Sequence, residues 1–361
     1  MLISVRSAAI LLIGALTEVV AASTLRIATY NVSLYRDSEG ELRRDLSDRD
    51  KKQIQDIAAV LQQIRPDIVL LNEFDYDPAS PSLLLANYLS RSQAGGKPLD
   101  YPHHFIAPSN TGVPSGVDLD RNGRIEGGND ALGFGRFPGQ YGMLVLSRWA
   151  IDANTSRTFR RFLWRDMPNN LIPPKWYSPE ALAVLPLSSK SHWDVVIRLP
   201  DTQQETQPES PHELHLLASH PTPPGFDGPE DRNGRRNHDE IRLWADYLSD
   251  GSKAAYLIDD QGRRGGLASD ASFVIVGDLN ADPIDGGSVP GAIAQLLDAY
   301  IAKSLVGRSS HAVKVARQPQ SARADRISRI VVTPLLIRET SMIEQDRWAI
   351  CASTTCCLQP I

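Results

Sequence analysis

Cysteine is all but missing from this 361-residue chain. The three present, Cys351, Cys356 and Cys357, fall in the last eleven residues, so no disulfide framework staples the body. That tail has no histidine, and the adjacent Cys356 and Cys357 lack the two-residue spacing of a zinc pair. Positive charge is not in excess either. A formal net charge of −5 excludes a broadly basic nucleic-acid-binding surface, although a divalent cation lets an acidic protein hold a phosphate. Long apolar runs are also lacking: the stretch Ala8 to Leu16 meets Glu18 before it reaches the roughly 20 residues of a spanning helix. With Arg6 before it and Val20-Ala21-Ala22 after it, that stretch predicts a signal peptide over residues 1–22 and export to the periplasm or medium.

What the chain does have is enough apolar residue, 42%, for a large core. Leu25 to Val32 predicts a buried strand, and Asp50 to Ile64 an amphipathic helix with Ile54, Ile57, Ala58, Leu61 and Ile64 on one face. Pro66 ends that helix, and Asp67 to Leu71 is a second strand delivering Asn72 and Glu73. Residues 93–140, rich in Gly, Pro, Asp and Asn, predict a long excursion from the scaffold. Further strands are expected at Tyr141 to Leu146, Asp194 to Leu199, Glu213 to Ala218 and Ser272 to Val276, and a helix at Asp239 to Leu248; residues 203–211 and 259–270 are expected as surface loops. Strands alternating with helices, several ending in polar residues, predict an α/β layered fold with its chemistry at one rim of a sheet.

Four strand ends carry polar groups: Asn31, Glu73, His220, and the pair Asp278 and Asn280. Taken singly, an Asn after a strand is usually a turn residue and a lone His is usually structural. The ordered set is more specific: Thr29-Tyr30-Asn31, Pro66 to Glu73 (PDIVLLNE), Tyr141 to Arg148 (YGMLVLSR), Ala218-Ser219-His220-Pro221 and Gly277 to Asp282 (GDLNAD). It resembles the endonuclease/exonuclease/phosphatase family, which includes DNase I-like nucleases, sphingomyelinases and inositol-phosphate phosphatases. The resemblance implies a two-sheet β-sandwich flanked by helices and a metal-dependent phosphoesterase. It further implies that Glu73 ligates Mg²⁺ (or Mn²⁺), that Asn31 assists the metal or holds a phosphate oxygen, that Asp278 and Asn280 position water and phosphate, that His220 donates a hydrogen bond or a proton to the phosphoryl group, and that Tyr141 orients the phosphate.

The chemistry of the residues agrees. A phosphate ester needs its charge neutralised and water placed in line, and Mg²⁺ prefers a few carboxylate oxygens over a His or Cys cage. Neighbouring carboxylates are expected to hold His220 protonated. A second cluster, Asp118, Asp120, Asn122, Gly123 and Glu126, follows the first nine positions of a calcium-binding loop. Position twelve is Asn129 and no bidentate Glu, with Asp130 next to it; Ca²⁺ and a plain polar turn both stay open.

The resemblance also implies a closing Arg-x-Asp-Tyr strand and a Ser-Asp-His triplet, and neither is intact. Residues 326–332 fit the strand, with Ser328 where Asp is expected, and His311 precedes it in the wrong order. The division expected is a signal peptide (1–22), one catalytic domain (23–334) holding the 93–140 insertion, and an atypical tail (335–361) such as a change of reading frame beyond Leu297 would leave. The function expected is a secreted, monomeric hydrolase of phosphodiesters or phosphomonoesters. Two rivals are an extracellular nuclease, for which Arg157 to Arg165 mixes cations with aromatics, and a non-catalytic relic that keeps only the phosphate pocket.

Overall fold

The computed structural model describes residues 24–199, 212–249, 251–283 and 286–297, together with two backbone segments, 330–336 and 348–352. The expected signal peptide, the loop at 203–211, His311, Ser328 and any change of frame beyond Leu297 lie outside them, save for those two segments.

Two mixed sheets form the centre. The first runs β3 (His103–Phe105), β4 (Met143–Ser147), β2 (Ile68–Phe74), β1 (Thr24–Leu34), β9 (Ile330–Leu336), and the second β10 (Trp348–Ala352), β8 (Ser272–Gly277), β7 (His212–Ser219), β6 (His192–Leu199), β5 (Ile151–Thr158). Central strands such as β2 and β4 read as continuous apolar runs because the sheets are covered on both faces. Alternate residues of β1 and β2 face opposite ways. Leu25, Ile27, Ile68 and Leu70 pack with Trp193, Val195, Leu216 and Val274 between the sheets. Ala28, Tyr30, Val69 and Leu71 pack outward against α1 (Glu41–Ser47), α2 (Lys52–Ile64) and α3 (Ser80–Leu84). Leu217, Phe273 and Ile275 face α4 (Pro179–Val184) and α5 (Arg232–Tyr247) on the far side of the second sheet. The α/β sandwich expected from the sequence is thus present as four layers.

Several elements differ from expectation. The helix expected at Asp239 begins at Arg232, because its first turns bury Asn237, Asp239 and Glu240, and apolar periodicity does not register buried polar residues. β5 was not anticipated: IDANTSRT is polar, lies at a sheet edge and bulges between Asp152 and Arg157. The strand expected at residues 326–332 lies at Ile330–Leu336, paired antiparallel with β1 from Thr24 to Tyr30. Its Pro334 lacks an N–H to give, which an edge position tolerates. β10 pairs in parallel with β8, so the residues beyond Leu297 contribute one strand to each sheet.

The site follows from pairing direction. β1 and β2 are parallel, and so are β7 and β8. Their carboxyl ends therefore open on a common rim, where polar residues end the apolar runs.

Candidate active site

At that rim the Asn31 amide is the link. Its Nδ2 donates to Glu73 Oε1 at 2.8 Å and to Asp278 Oδ2 at 3.1 Å, so one nitrogen holds together carboxylates 205 positions apart in the chain, one from each sheet. Its Oδ1 accepts from Ser33 N at 3.1 Å. His220 Nε2 lies 4.0 Å from Asp278 Oδ2, and Asn280 donates from Nδ2 to Pro221 O at 3.1 Å. The five residues singled out from the sequence meet in one place.

Backbone strain gathers in the same spot. Glu73 (φ 59°), Tyr141 (φ 55°) and Asn280 (φ 51°) are left-handed without being glycine. Asn tolerates this; Glu and Tyr hold it only where their surroundings over-determine the conformation, at a cost of about 1–3 kcal/mol each. Next to Glu73, Phe74 N donates to Gly142 O at 3.0 Å, and Asp75 accepts from Tyr141 N and Arg36 N at 3.0 and 2.8 Å. Tyr141 packs against Tyr35 with ring centres 4.7 Å apart and ring planes tilted by 46°.

Burial raises the Glu73 carboxyl above its usual range; the Asn31 hydrogen bond and Lys190 oppose this, and Asp278 adds to it. Two carboxylates pressed together with part of their hydration removed favour a cation between them. The donors are oxygens of Glu73, Asp278 and an amide, a set that suits a hard divalent ion and not a soft one.

His220 departs from expectation. Burial, and then the Lys190 ammonium, push its imidazole well below the usual histidine range, which favours the neutral ring and opposes the protonated form. Desolvation here outweighs the single carboxylate, which at 4.0 Å is too far for a hydrogen bond. Its Nδ1 is buried with no hydrogen-bond partner among the described residues.

Lys190 itself was not foreseen. It is 6% exposed and acts electrostatically on Glu73, Asp278, Glu240 and His220. Burial lowers its ammonium and the three carboxylates oppose the shift. The signal available was a lone charge in Pro186 to Trp193, a stretch otherwise uncharged and leading into β6.

Away from the rim, Asp118, Asp120 and Asp130 bring carboxylate oxygens within 4.8 Å of one another. Asp130 takes the third place in that group; Glu126 instead pairs with Arg124 at 3.0 Å, and Asn122 Nδ2 donates to Asp120.

A model of the endonuclease/exonuclease/phosphatase family matches residues 28–345. The chain belongs to that family. Members of this superfamily are phosphoric ester hydrolases, generally metal-dependent. Comparison with curated proteins finds no match. Among solved structures, the chain is similar to an endonuclease/exonuclease/phosphatase from Beutenbergia cavernae, with 19% identity and a TM-score of 0.41; the match covers 77% of this chain and 54% of that one, about half its length. It is similar to sphingomyelinase C from Streptomyces griseocarneus at 17% identity and a TM-score of 0.39, covering 77% and 70%. A beta toxin mutant from Staphylococcus aureus with bound magnesium ions is 12% identical, at a TM-score of 0.37 and coverage of 77% and 70%. No helix among the described residues is long and apolar enough to cross a membrane.

Proposed function

We propose that this member of the family is an exported phosphoesterase that hydrolyses phosphodiesters or phosphomonoesters with Mg²⁺ or Mn²⁺. One observation carries the reading: a single amide, that of Asn31, bonds the carboxylates of Glu73 and Asp278 at the shared rim of the two sheets. Glu73 and Asn31 are the residues that would hold the ion. When bound, the ion supplies positive charge to the phosphate and acidifies water.

The chain's own groups do the rest. Asp278 and Asn280 orient the attacking water, Asp278 as acceptor for its proton. Lys190 offers a buried positive charge to the phosphoryl oxygens, and in a water-poor site such a charge is worth more than in solution. His220, being neutral, donates a hydrogen bond to the phosphoryl group and does not act as the acid. The Tyr141 hydroxyl, in an electrostatic field that includes Glu73, orients the phosphate. Asp118, Asp120 and Asp130 are the residues that would hold Ca²⁺ in the insertion, with Gly123 (φ 82°) making the turn.

The test is turnover of bis-p-nitrophenyl phosphate, p-nitrophenyl phosphate and plasmid DNA by purified protein, with and without EDTA. Metal-dependent turnover, lost by about 100-fold or more in Glu73→Gln, supports the reading. Metal binding without turnover of any substrate would leave a phosphate-binding relic, and activity confined to DNA would make it a nuclease.

A further inference from the structure

The pairing of β7 with β8 stops at Ser219↔Gly277. The next residue in each chain is a site residue, His220 on one side and Asp278 on the other. Beyond that pair no ladder relates the two turns, yet His220 and Asp278 must keep a fixed separation to act on one phosphate. Besides the Asn280 Nδ2 to Pro221 O bond, the turns are joined by a stripe on α5. Asn237, Glu240 and Trp244 are spaced three and four apart on one helix face, and none is more than 1% exposed. Asn237 Nδ2 donates to Thr222 O at 2.8 Å and to Leu279 O at 2.9 Å, one bond to each turn. Glu240 accepts from Thr222 N at 2.6 Å through one oxygen and from Ser189 N and Oγ at 2.7 and 2.9 Å through the other. Trp244 Nε1 donates to Ser219 Oγ at 3.0 Å.

Resting on the phosphoesterase reading above, we infer that Asn237 and Glu240 are positioning residues, which hold the His220 turn, the Asp278 turn and the Lys190 segment in one geometry without touching substrate. A purely structural role would not account for the choice of partners. The bonded carbonyls belong to Thr222 and Leu279, on the two turns that carry the site and on no other loop. Leu279 lies between Asp278 and Asn280, and Ser189 precedes Lys190. Glu240 is also a buried charge, and three hydrogen bonds together with the nearby Lys190 ammonium compensate it. A Leu in place of Asn237 has similar bulk and no donor, so both turns lose their shared anchor on α5 and keep only the direct Asn280–Pro221 bond, while the helix still packs.

The experiment compares wild type, Asn237→Leu, Glu240→Gln and, as a core control on the same helix, Leu243→Ala. For each, thermal unfolding, Mn²⁺ affinity, the histidine ring NMR signals of His220 (assigned with His220→Gln) and steady-state kinetics are measured. In Asn237→Leu, kcat falls about 10- to 100-fold with a much smaller change in KM, and the His220 signals shift or broaden. Leu243→Ala loses stability with both unchanged. If Asn237→Leu does not fold, Glu240→Gln carries the comparison with the same expectation. Unmoved His220 signals in the Asn237 or Glu240 variant, or kcat loss no greater than in Leu243→Ala, would overturn the inference. A wild type without turnover defeats the phosphoesterase reading alone, because the NMR and Mn²⁺ arms still decide whether these residues set the geometry.

Discussion

At the scale of single residues, the rim is a contest between burial and charge. Glu73 is raised chiefly by burial and His220 is lowered by it, and the Lys190 ammonium opposes the first shift and adds to the second. Replacing Lys190 with Met removes a positive charge that a divalent ion must otherwise approach, and also the one proposed to meet the phosphate. Mn²⁺ affinity is therefore expected to hold or rise in Lys190→Met, while inhibition by inorganic phosphate weakens by about tenfold, the scale of one charge-assisted bond. A parallel loss of both affinities in a titration would remove Lys190 from the phosphate. Of this chemistry the sequence displayed the carboxylates and amides, which end strands and so declare themselves by position. It did not display Lys190, or the neutrality of His220, because burial is set by elements remote in sequence. A rule that pairs histidine with a neighbouring carboxylate gives the wrong sign once desolvation is the larger effect.

At the scale of elements, the site depends on how closely β7 and β8 approach at their ends. Gly277, at φ 157°, has Ser219 O where a Cβ would stand, 2.0 Å away. Gly277→Ala must push the two strand ends apart. The expected loss is about 1–3 kcal/mol in denaturant unfolding, as for an overpacked core, with kcat reduced further than stability alone explains. A variant with wild-type stability and turnover would show that the ends are slack. Elements were legible where one period dominates: α2 begins and ends within two residues of expectation, since Ile54, Ile57, Ala58 and Leu61 are all buried on one face. They were illegible where polarity is structural. α5 hides Asn237 and Glu240 in its first turns, and edge strand β5 buries only Ser156 and Arg157, so neither pattern reports its element.

At the scale of the molecule, buried histidine links stability to pH. His192, 1% exposed, bonds Ser188 Oγ through Nδ1 at 2.5 Å and Glu240 O through Nε2 at 2.9 Å, an arrangement suited to the neutral ring. Burial pulls its pKa from 6.5 to about 4. Its folded value lies below its unfolded one, so protons favour the unfolded chain. This share of stability is complete above about pH 6.5, is lost as pH falls towards 4, and amounts to about 3 kcal/mol. Thermal melts from pH 7 to 4 should therefore decline, less steeply in His192→Gln; equal slopes would show that other groups govern the acid limb. At the Asp118, Asp120 and Asp130 cluster, millimolar Ca²⁺ is expected to raise the melting temperature of wild type but not of Asp118→Ala, by the mass-action stabilisation of a ligand bound only to the folded state. An identical response in both would leave the loop a polar turn.

The two sheets are built from successive halves of the described chain: strands through Ser147 belong to the first and those from Ile151 to Gly277 to the second, before β9 joins the first and β10 the second. Asn31 and Glu73 come from one half, His220 and Asp278 from the other. With a cation on Glu73 and Asn31 and a phosphate reaching across to Asp278 and His220, the filled site is then a rivet through both plates, and filling it with Mn²⁺ and inorganic phosphate together should slow amide hydrogen exchange well inside the seam, at Ile27, Leu70, Leu216 and Val274.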